Sequence, residues 1–153
     1  MHETEALHIR RLTAEDLEPL HRLLSDPAVM RYLEPPFTRA QTEAFLQKAG
    51  MGREPLIWAV EDGRGFAGYV IYHPYDETSM ELGWVLASDR WGRGYALAVT
   101  RQMICLAREN GRDAVIECHP QQAATRHIAE KLGFRPCGMD GGCCVYRLAG
   151  KNE

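Results

Sequence analysis

The sequence predicts a mixed α/β (α+β) domain, and three observations predict it. The first third of the 153-residue chain repeats apolar residues at helical spacing between proline-rich breaks. From Leu56 the period changes to that of strands joined by a short turn. The second half then runs strand, long helix, strand and helix before two closing strands.

Leu7-His8-Ile9-Arg10-Arg11-Leu12 alternates apolar and polar residues for part of its length, as a half-buried strand does. Thr13-Ala14-Glu15-Asp16 opens a helix, with Thr13 as N-cap and Asp16 as its capping-box partner. Leu17, Leu20, Leu23 and Leu24 give that helix one buried face. Ser25-Asp26-Pro27 stops it and starts a short second helix through Tyr32, because proline fits a first helical turn. After the break at Pro35-Pro36-Phe37, Thr38 caps a third helix to about Lys48, with Phe45 and Leu46 inward and Gly50 and Gly52 ending it.

Leu56 to Val60 reads as a strand, Glu61 to Gly65 as a turn and Phe66 to Tyr72 as the return strand of a hairpin. His73 to Glu77 reads as a loop. The third strand, Met80 to Leu86, puts Met80, Leu82, Trp84 and Leu86 on one face and Glu81, Gly83 and Val85 on the other. Trp91-Gly92-Arg93-Gly94-Tyr95-Ala96 opens the longest helix, to about Asn110. Its stripe is Ala96, Val99, Met103, Leu106 and Ala107, flanked by Leu97 and Ile104, with Arg101, Cys105 and Arg108 opposite. Ala114 to Cys118 is a short strand. Gln122 to Leu132 is a helix on Ala124, Ile128 and Leu132, closed by Gly133-Phe134. Phe134 to Cys137 and Cys143 to Leu148 are the closing strands.

Composition narrows the function. With 45% hydrophobic and 25% charged residues and no internal repeat, the chain reads as one globular domain over residues 1–153. A net charge of −3 and a pI near 6.1 exclude a global basic surface, so neither nucleic acid nor an anionic membrane is an expected partner. No apolar run approaches the ~20 residues of a membrane helix, and Met1-His2-Glu3-Thr4-Glu5 is acidic where a signal peptide is basic. The expected location is cytoplasmic. Five cysteines, an odd number, argue for reduced thiols, and their spacing supplies no metal site.

The most informative stretch is the junction from the third strand into the glycine segment and its helix. Residues without bulky side chains at a helix N-terminus leave backbone N–H groups accessible, and with the positive helix end these make an anion site for a phosphate. Residues 89–112 carry five arginines (Arg90, Arg93, Arg101, Arg108, Arg112) against Asp89 and Glu109, which concentrates positive charge there. The segment is neither a Walker loop nor a dinucleotide fingerprint: no Lys-Ser/Thr follows the glycines, and the strand before them sits among hairpins.

Four ordered blocks carry a resemblance covering nearly the whole chain: Arg10 to Asp16, Leu24-Ser25-Asp26-Pro27-Ala28-Val29-Met30-Arg31-Tyr32-Leu33, the glycine segment, and Cys118-His119-Pro120 with Glu130-Lys131-Leu132-Gly133-Phe134. In these the chain resembles the GCN5-related N-acetyltransferases (GNAT), in the branch of ribosomal-protein N-terminal acetyltransferases. The resemblance implies a mixed, mostly antiparallel central sheet with helices on both faces, and acetyl-CoA as co-substrate with no metal. The family's Gln/Arg-x-x-Gly-x-Gly/Ala motif, whose amides bind the pyrophosphate, falls on Trp91, Gly92, Arg93, Gly94, Tyr95 and Ala96, with Leu97 next. It matches at Gly94 and Ala96 and has Trp91 where Gln or Arg is usual. The resemblance further implies that the preceding strand splays from its neighbour near Val85 and Leu86, which pair with pantetheine. Gln122 and Thr125 stand where the family has an Asn and a Ser that contact pantetheine and CoA.

A thioester and a neutral, aligned amine need no covalent enzyme intermediate, so the site must take a proton and stabilise an oxyanion. Glu81 is the candidate base, directly or through water, and a strand amide near Val85 the oxyanion donor. Ala129 stands where many relatives place a tyrosine as general acid. Tyr95, Tyr146 or water then protonates the thiolate. The expected activity is that of an acyltransferase passing acetyl to a primary amine in a ternary complex, with a protein N-terminal α-amine as one acceptor. A small-molecule or antibiotic amine, or a catalytically silent CoA-binding module, are the alternatives, and a homodimer is left open.

Overall fold

The computed structural model describes residues 6–150, so the acidic start Met1 to Glu5 lies outside the described residues. The described residues form seven strands: β1 (His8–Arg10), β2 (Ile57–Asp62), β3 (Gly65–Asp76), β4 (Ser79–Leu86), β5 (Asp113–Cys118), β6 (Arg135–Asp140) and β7 (Cys143–Leu148). The α-helices are α1 (Leu17–Leu24), α2 (Pro27–Met30), α3 (Arg39–Phe45), α4 (Tyr95–Glu109) and α5 (Ala123–Lys131). The strands form one sheet in the order β1-β2-β3-β4-β5-β7-β6. β4 and β5 pair in parallel, whereas β1–β2, β2–β3, β5–β7 and β6–β7 are antiparallel, so the sheet is mixed and mostly antiparallel as expected.

Packing divides the chain into two compact units. One holds the chain up to Ile71 together with Trp84–Tyr95, and the other holds Tyr72–Gly83 together with the chain from Ala96 onward.

The first unit is built on the early helices. Asp26 accepts from the Ala28 N–H at 2.9 Å, starting α2 with Pro27 in its first turn. Thr38 and Gln41 form the reciprocal capping box of α3, with bonds of 3.1 and 2.8 Å. The third helix stops being α-helical at Phe45 and continues as a wide π turn over Leu46–Gly50, which seats Gly50 against Leu12: a Cβ there would lie 2.8 Å from Leu12 Cδ1. Leu12, Leu20, Leu24, Met30, Leu46 and Ile57 meet in one apolar core. Phe45 links Phe37 to Tyr69, with ring centroids 5.8 and 5.9 Å apart. Gly68, at φ +147°, lets β3 approach β4: a Cβ there would sit 2.2 Å from the Val85 carbonyl oxygen.

In the second unit β3 continues through His73, Pro74 and Tyr75, where the sequence reads as a loop. The β2–β3 register ends at Ile57↔Ile71, so Pro74 lies where no β2 residue asks for its missing N–H. The turn comes later, where Asp76 Oδ1 accepts from Thr78 N–H at 2.9 Å and from Ser79 Oγ at 2.7 Å. Arg147 on β7 donates to Asp113, Asp76 and Thr78 at 3.0, 3.1 and 2.9 Å, tying the strand ends together. Two helical stripes are rotated from expectation. On α4, Thr100 is fully buried and Leu106 is left 44% exposed. The Thr100 hydroxyl donates to the Ala96 carbonyl at 2.5 Å, so a polar residue meets the core with its hydrogen bond already made. On α5, Ala124 is exposed and Ala129 fully buried, so the small side chain at 129 packs inward.

Candidate active site

β4 ends at Leu86, and the chain passes through a 3-10 turn at Ser88–Arg90 into Trp91, Gly92, Arg93 and Gly94, all exposed. Gly92 and Gly94 have φ of +77° and +80°, a region closed to most side chains, which is why α4 begins at Tyr95 rather than at Trp91. A Cβ at either glycine would meet nothing within 4 Å, so the turn presents bare backbone beside a helix N-terminus. Ala96 and Leu97, half-buried, complete the first turn of α4.

This turn is anchored on a residue that the sequence reading treats only as part of a hairpin turn. Asp62, at the end of β2, accepts from Arg90 Nε at 2.9 Å, from a second Arg90 nitrogen at 3.2 Å and from the Tyr95 hydroxyl at 2.8 Å. It also accepts from the Arg64 N–H at 2.9 Å, the turn role its position before Gly63 announces. The Arg90 guanidinium foremost, against burial, holds the Asp62 carboxyl far below the usual carboxylate range. This corrects the expected pooling of arginine charge. Arg90 is buried and bonded to Asp62 and Asp89, Arg112 donates to the Glu77 carbonyl at 3.0 Å, and Arg93 is the arginine within the glycine turn. Tyr95 likewise faces inward, 3% exposed, rather than outward with the turn. Trp91 is half exposed, and its Nε1–H donates to the Leu86 carbonyl at 2.9 Å. That carbonyl, expected to face pantetheine, therefore already accepts one bond. The Val85 and Leu86 side chains are buried.

In the second unit Glu81 lies on β4 at the last pair of the β4–β5 register, opposite Val115, while β4 itself runs on to Leu86. Its carboxylate is half-buried. Oε1 stands 3.7 Å from Nε2 of His73, whose Nδ1 lies 2.9 Å from the Pro74 carbonyl. Burial pushes the Glu81 carboxyl above its ordinary value; His73 opposes that shift and Glu117 adds to it. Glu117 on β5 accepts from the Tyr75 hydroxyl at 2.5 Å, which pushes Tyr75 up to about 12. His73, Tyr75 and Glu117 were not singled out from the sequence. The first two fell in the segment read as a loop, where no alternation marks a face.

Gln122 occupies the N-cap position of α5 without a side-chain capping bond, with Thr125 one turn on. The Gln122 Oε1 accepts from the His119 N–H at 2.8 Å, so its carbonyl closes the loop after β5. Tyr146 is buried and bonded to Arg126 at 3.1 Å. Both tyrosine hydroxyls that the sequence offers as acids, Tyr95 and Tyr146, are thus enclosed in structural bonds.

The second unit thus holds a carboxylate raised by burial, and the first holds a turn with two bare glycines. Residues 6–135 match the family model described as "Acetyltransferase (GNAT) domain". The chain belongs to the GNAT acetyltransferase family and is an acyltransferase; the family uses acetyl-CoA as co-substrate. It is 26% identical to a Bacillus subtilis (strain 168) protein named "Uncharacterized N-acetyltransferase YnaD", over 92% of this chain and 85% of that one. A GNAT-family acetyltransferase from Bacillus anthracis superposes with a TM-score of 0.81 at 25% identity, covering 97% of each chain. The fold is shared with spermidine N-acetyltransferase from Vibrio cholerae, solved with CoA and spermine, at a TM-score of 0.75 and 22% identity over 93% of each chain. Among the described residues no helix is long and apolar enough to cross a membrane.

Proposed function

We propose that this protein, as a single N-acetyltransferase domain, transfers acetyl from acetyl-CoA to a primary amine by direct attack, with Glu81 as the base. The observation that carries the reading is the half-buried Glu81 carboxylate, held above its ordinary pKa on the strand that leads to the glycine turn. A carboxylate tuned upward is a better proton acceptor near neutral pH than a solvated one. The backbone of Trp91, Gly92, Arg93 and Gly94, with Ala96 and Leu97, is the proposed seat of the diphosphate. The bare faces of both glycines fit that group. Val85 and Leu86, with Gln122 and Thr125, are the proposed contacts to pantetheine and CoA.

When bound, acetyl-CoA supplies the carbonyl that the amine attacks and the thiolate that leaves. Glu81 takes the proton of the attacking nitrogen, and the Val85 N–H is the proposed donor to the oxyanion. With Tyr95 and Tyr146 engaged inside the fold, water protonates the thiolate. A thiol of ordinary pKa, ~8.5, leaves readily enough near neutral pH for that route.

The acceptor we propose is a protein N-terminal α-amine, in the ribosomal-protein branch that the blocks at Arg10 to Asp16, Leu24 to Leu33 and Glu130 to Phe134 resemble. The test is thiol release from acetyl-CoA with N-terminal peptides, polyamines and aminoglycosides as acceptors. Peptide-dependent turnover that falls about 10²- to 10⁴-fold in Glu81→Gln supports the whole reading. Turnover with small amines alone moves the acceptor to that class. Binding of CoA with no turnover on any amine replaces the enzyme with a CoA-binding module.

A further inference from the structure

We infer that Asp62 is a positioning residue for coenzyme A: its buried carboxylate clamps both ends of the glycine turn and so sets the backbone that meets the diphosphate. The inference rests on the proposed reading of that turn as the diphosphate seat. Arg90 immediately precedes the segment Trp91–Gly94 and Tyr95 immediately follows it, and both donate to the Asp62 carboxylate, at 2.9 and 2.8 Å on the same oxygen. The Asp62 side chain is fully buried and the Arg90 side chain nearly so, so these bonds are shielded from water. Between the two anchors lie two glycines at positive φ, the residues with the most backbone freedom to lose on ordering. All four residues of the turn are exposed, and the Trp91 indole bond to the Leu86 carbonyl holds only its first position. The order must come from its ends, and a single carboxylate supplies it at both. Asp62 touches no reacting group and orders the turn before the ligand arrives.

The geometry makes a prediction that general loss of stability does not. Weakening the clamp penalises ligands that carry a diphosphate more than those that lack it. The experiment compares acetyl-CoA with S-acetylpantetheine, which keeps the thioester and lacks the diphosphate, as acyl donors for wild type, Asp62→Asn and Tyr95→Phe, together with CoA affinity by calorimetry. Asp62→Asn is expected to weaken CoA about 10- to 100-fold, and Tyr95→Phe about 3- to 10-fold. The loss of kcat/KM is expected to be larger with acetyl-CoA than with S-acetylpantetheine in both variants. Because Asp62→Asn leaves Arg90 buried beside a neutral partner, Tyr95→Phe, which deletes one hydroxyl, carries the test independently of folding. Equal losses with both donors, or no loss of CoA affinity in Tyr95→Phe, overturn the inference. Gly94→Val separates it from the reading beneath: if Gly94→Val leaves CoA affinity intact, the turn is not the diphosphate seat. If Gly94→Val weakens CoA while Tyr95→Phe does not, only the role of Asp62 fails.

Discussion

His73 presents Nε2 to Glu81 Oε1 at 3.7 Å while its Nδ1 faces the Pro74 carbonyl at 2.9 Å. The carbonyl fixes the ring and leaves Nε2 for the carboxylate. Burial raises the Glu81 carboxyl, His73 from β3 opposes that shift and Glu117 from β5 adds to it; Asp140 from β6 and Glu81 both push up the hydroxyl of Tyr75 on β3.

The acid limb of kcat should therefore lie above the ordinary Glu value, since Glu81 must be ionised to accept a proton and burial raises its pKa. Removing His73, which holds the Glu81 carboxyl down, in His73→Gln moves that limb to higher pH, whereas removing Glu117, which pushes it up, in Glu117→Gln moves it to lower pH. Rate profiles from pH 5 to 9 read both shifts. Displacement of both variants in the same direction would contradict the assignment.

Stability carries the opposite sign. A carboxyl whose pKa is raised on folding binds its proton more tightly in the native state. Its contribution is favourable below the unfolded value and is lost as pH rises through the raised one. Glu81→Gln is accordingly expected to melt higher than wild type at pH 8 and equal to it at pH 4, by calorimetric or dichroism melts, while losing turnover.

Asp16 behaves in the reverse sense. Burial alone would raise its carboxyl, but the Arg10 guanidinium, bonded at 2.8 and 2.9 Å, and the Thr13 N–H at 2.8 Å hold it below the ordinary value. That stability is present above the unfolded pKa, ~3.9, and is lost as pH falls through the native one. Asp16→Ala should cost about 3 kcal/mol at pH 7, with the difference from wild type shrinking below pH 4 in urea titrations.

Gly68→Ala tests the approach of β3 to β4. The new Cβ would fall 2.2 Å from the Val85 oxygen and 2.8 Å from the Leu86 Cα, both main-chain atoms with no rotamer to yield. A loss of about 3 kcal/mol or more is expected in chemical denaturation. A loss under about 1 kcal/mol would show that the strands separate freely there.

Much of the fold is legible locally. The Thr38 cap, the Leu stripe of α1, the hairpin around Gly63 and the period change at Leu56 each express one element's own geometry. Glu81 and the glycine turn were legible for the same reason, one by strand alternation and the other by residue type. Where the reading erred, a neighbour had changed the rule: β3 runs through Pro74 because β2 has already ended, and Thr100 displaces Leu106 because its hydroxyl is satisfied within the helix.

What the sequence determined by itself is the order of elements, the carboxylate on β4 and a turn with two bare glycines, all set by periodicity and conformational preference within a few residues. What only the tertiary structure decided is which charges are spent. Arg90, counted as free, lies on Asp62 across 28 positions of chain, and Tyr95 joins it across 33. Pairings over such distances leave no local period, because they follow from the sheet bringing the β2 end beside the turn.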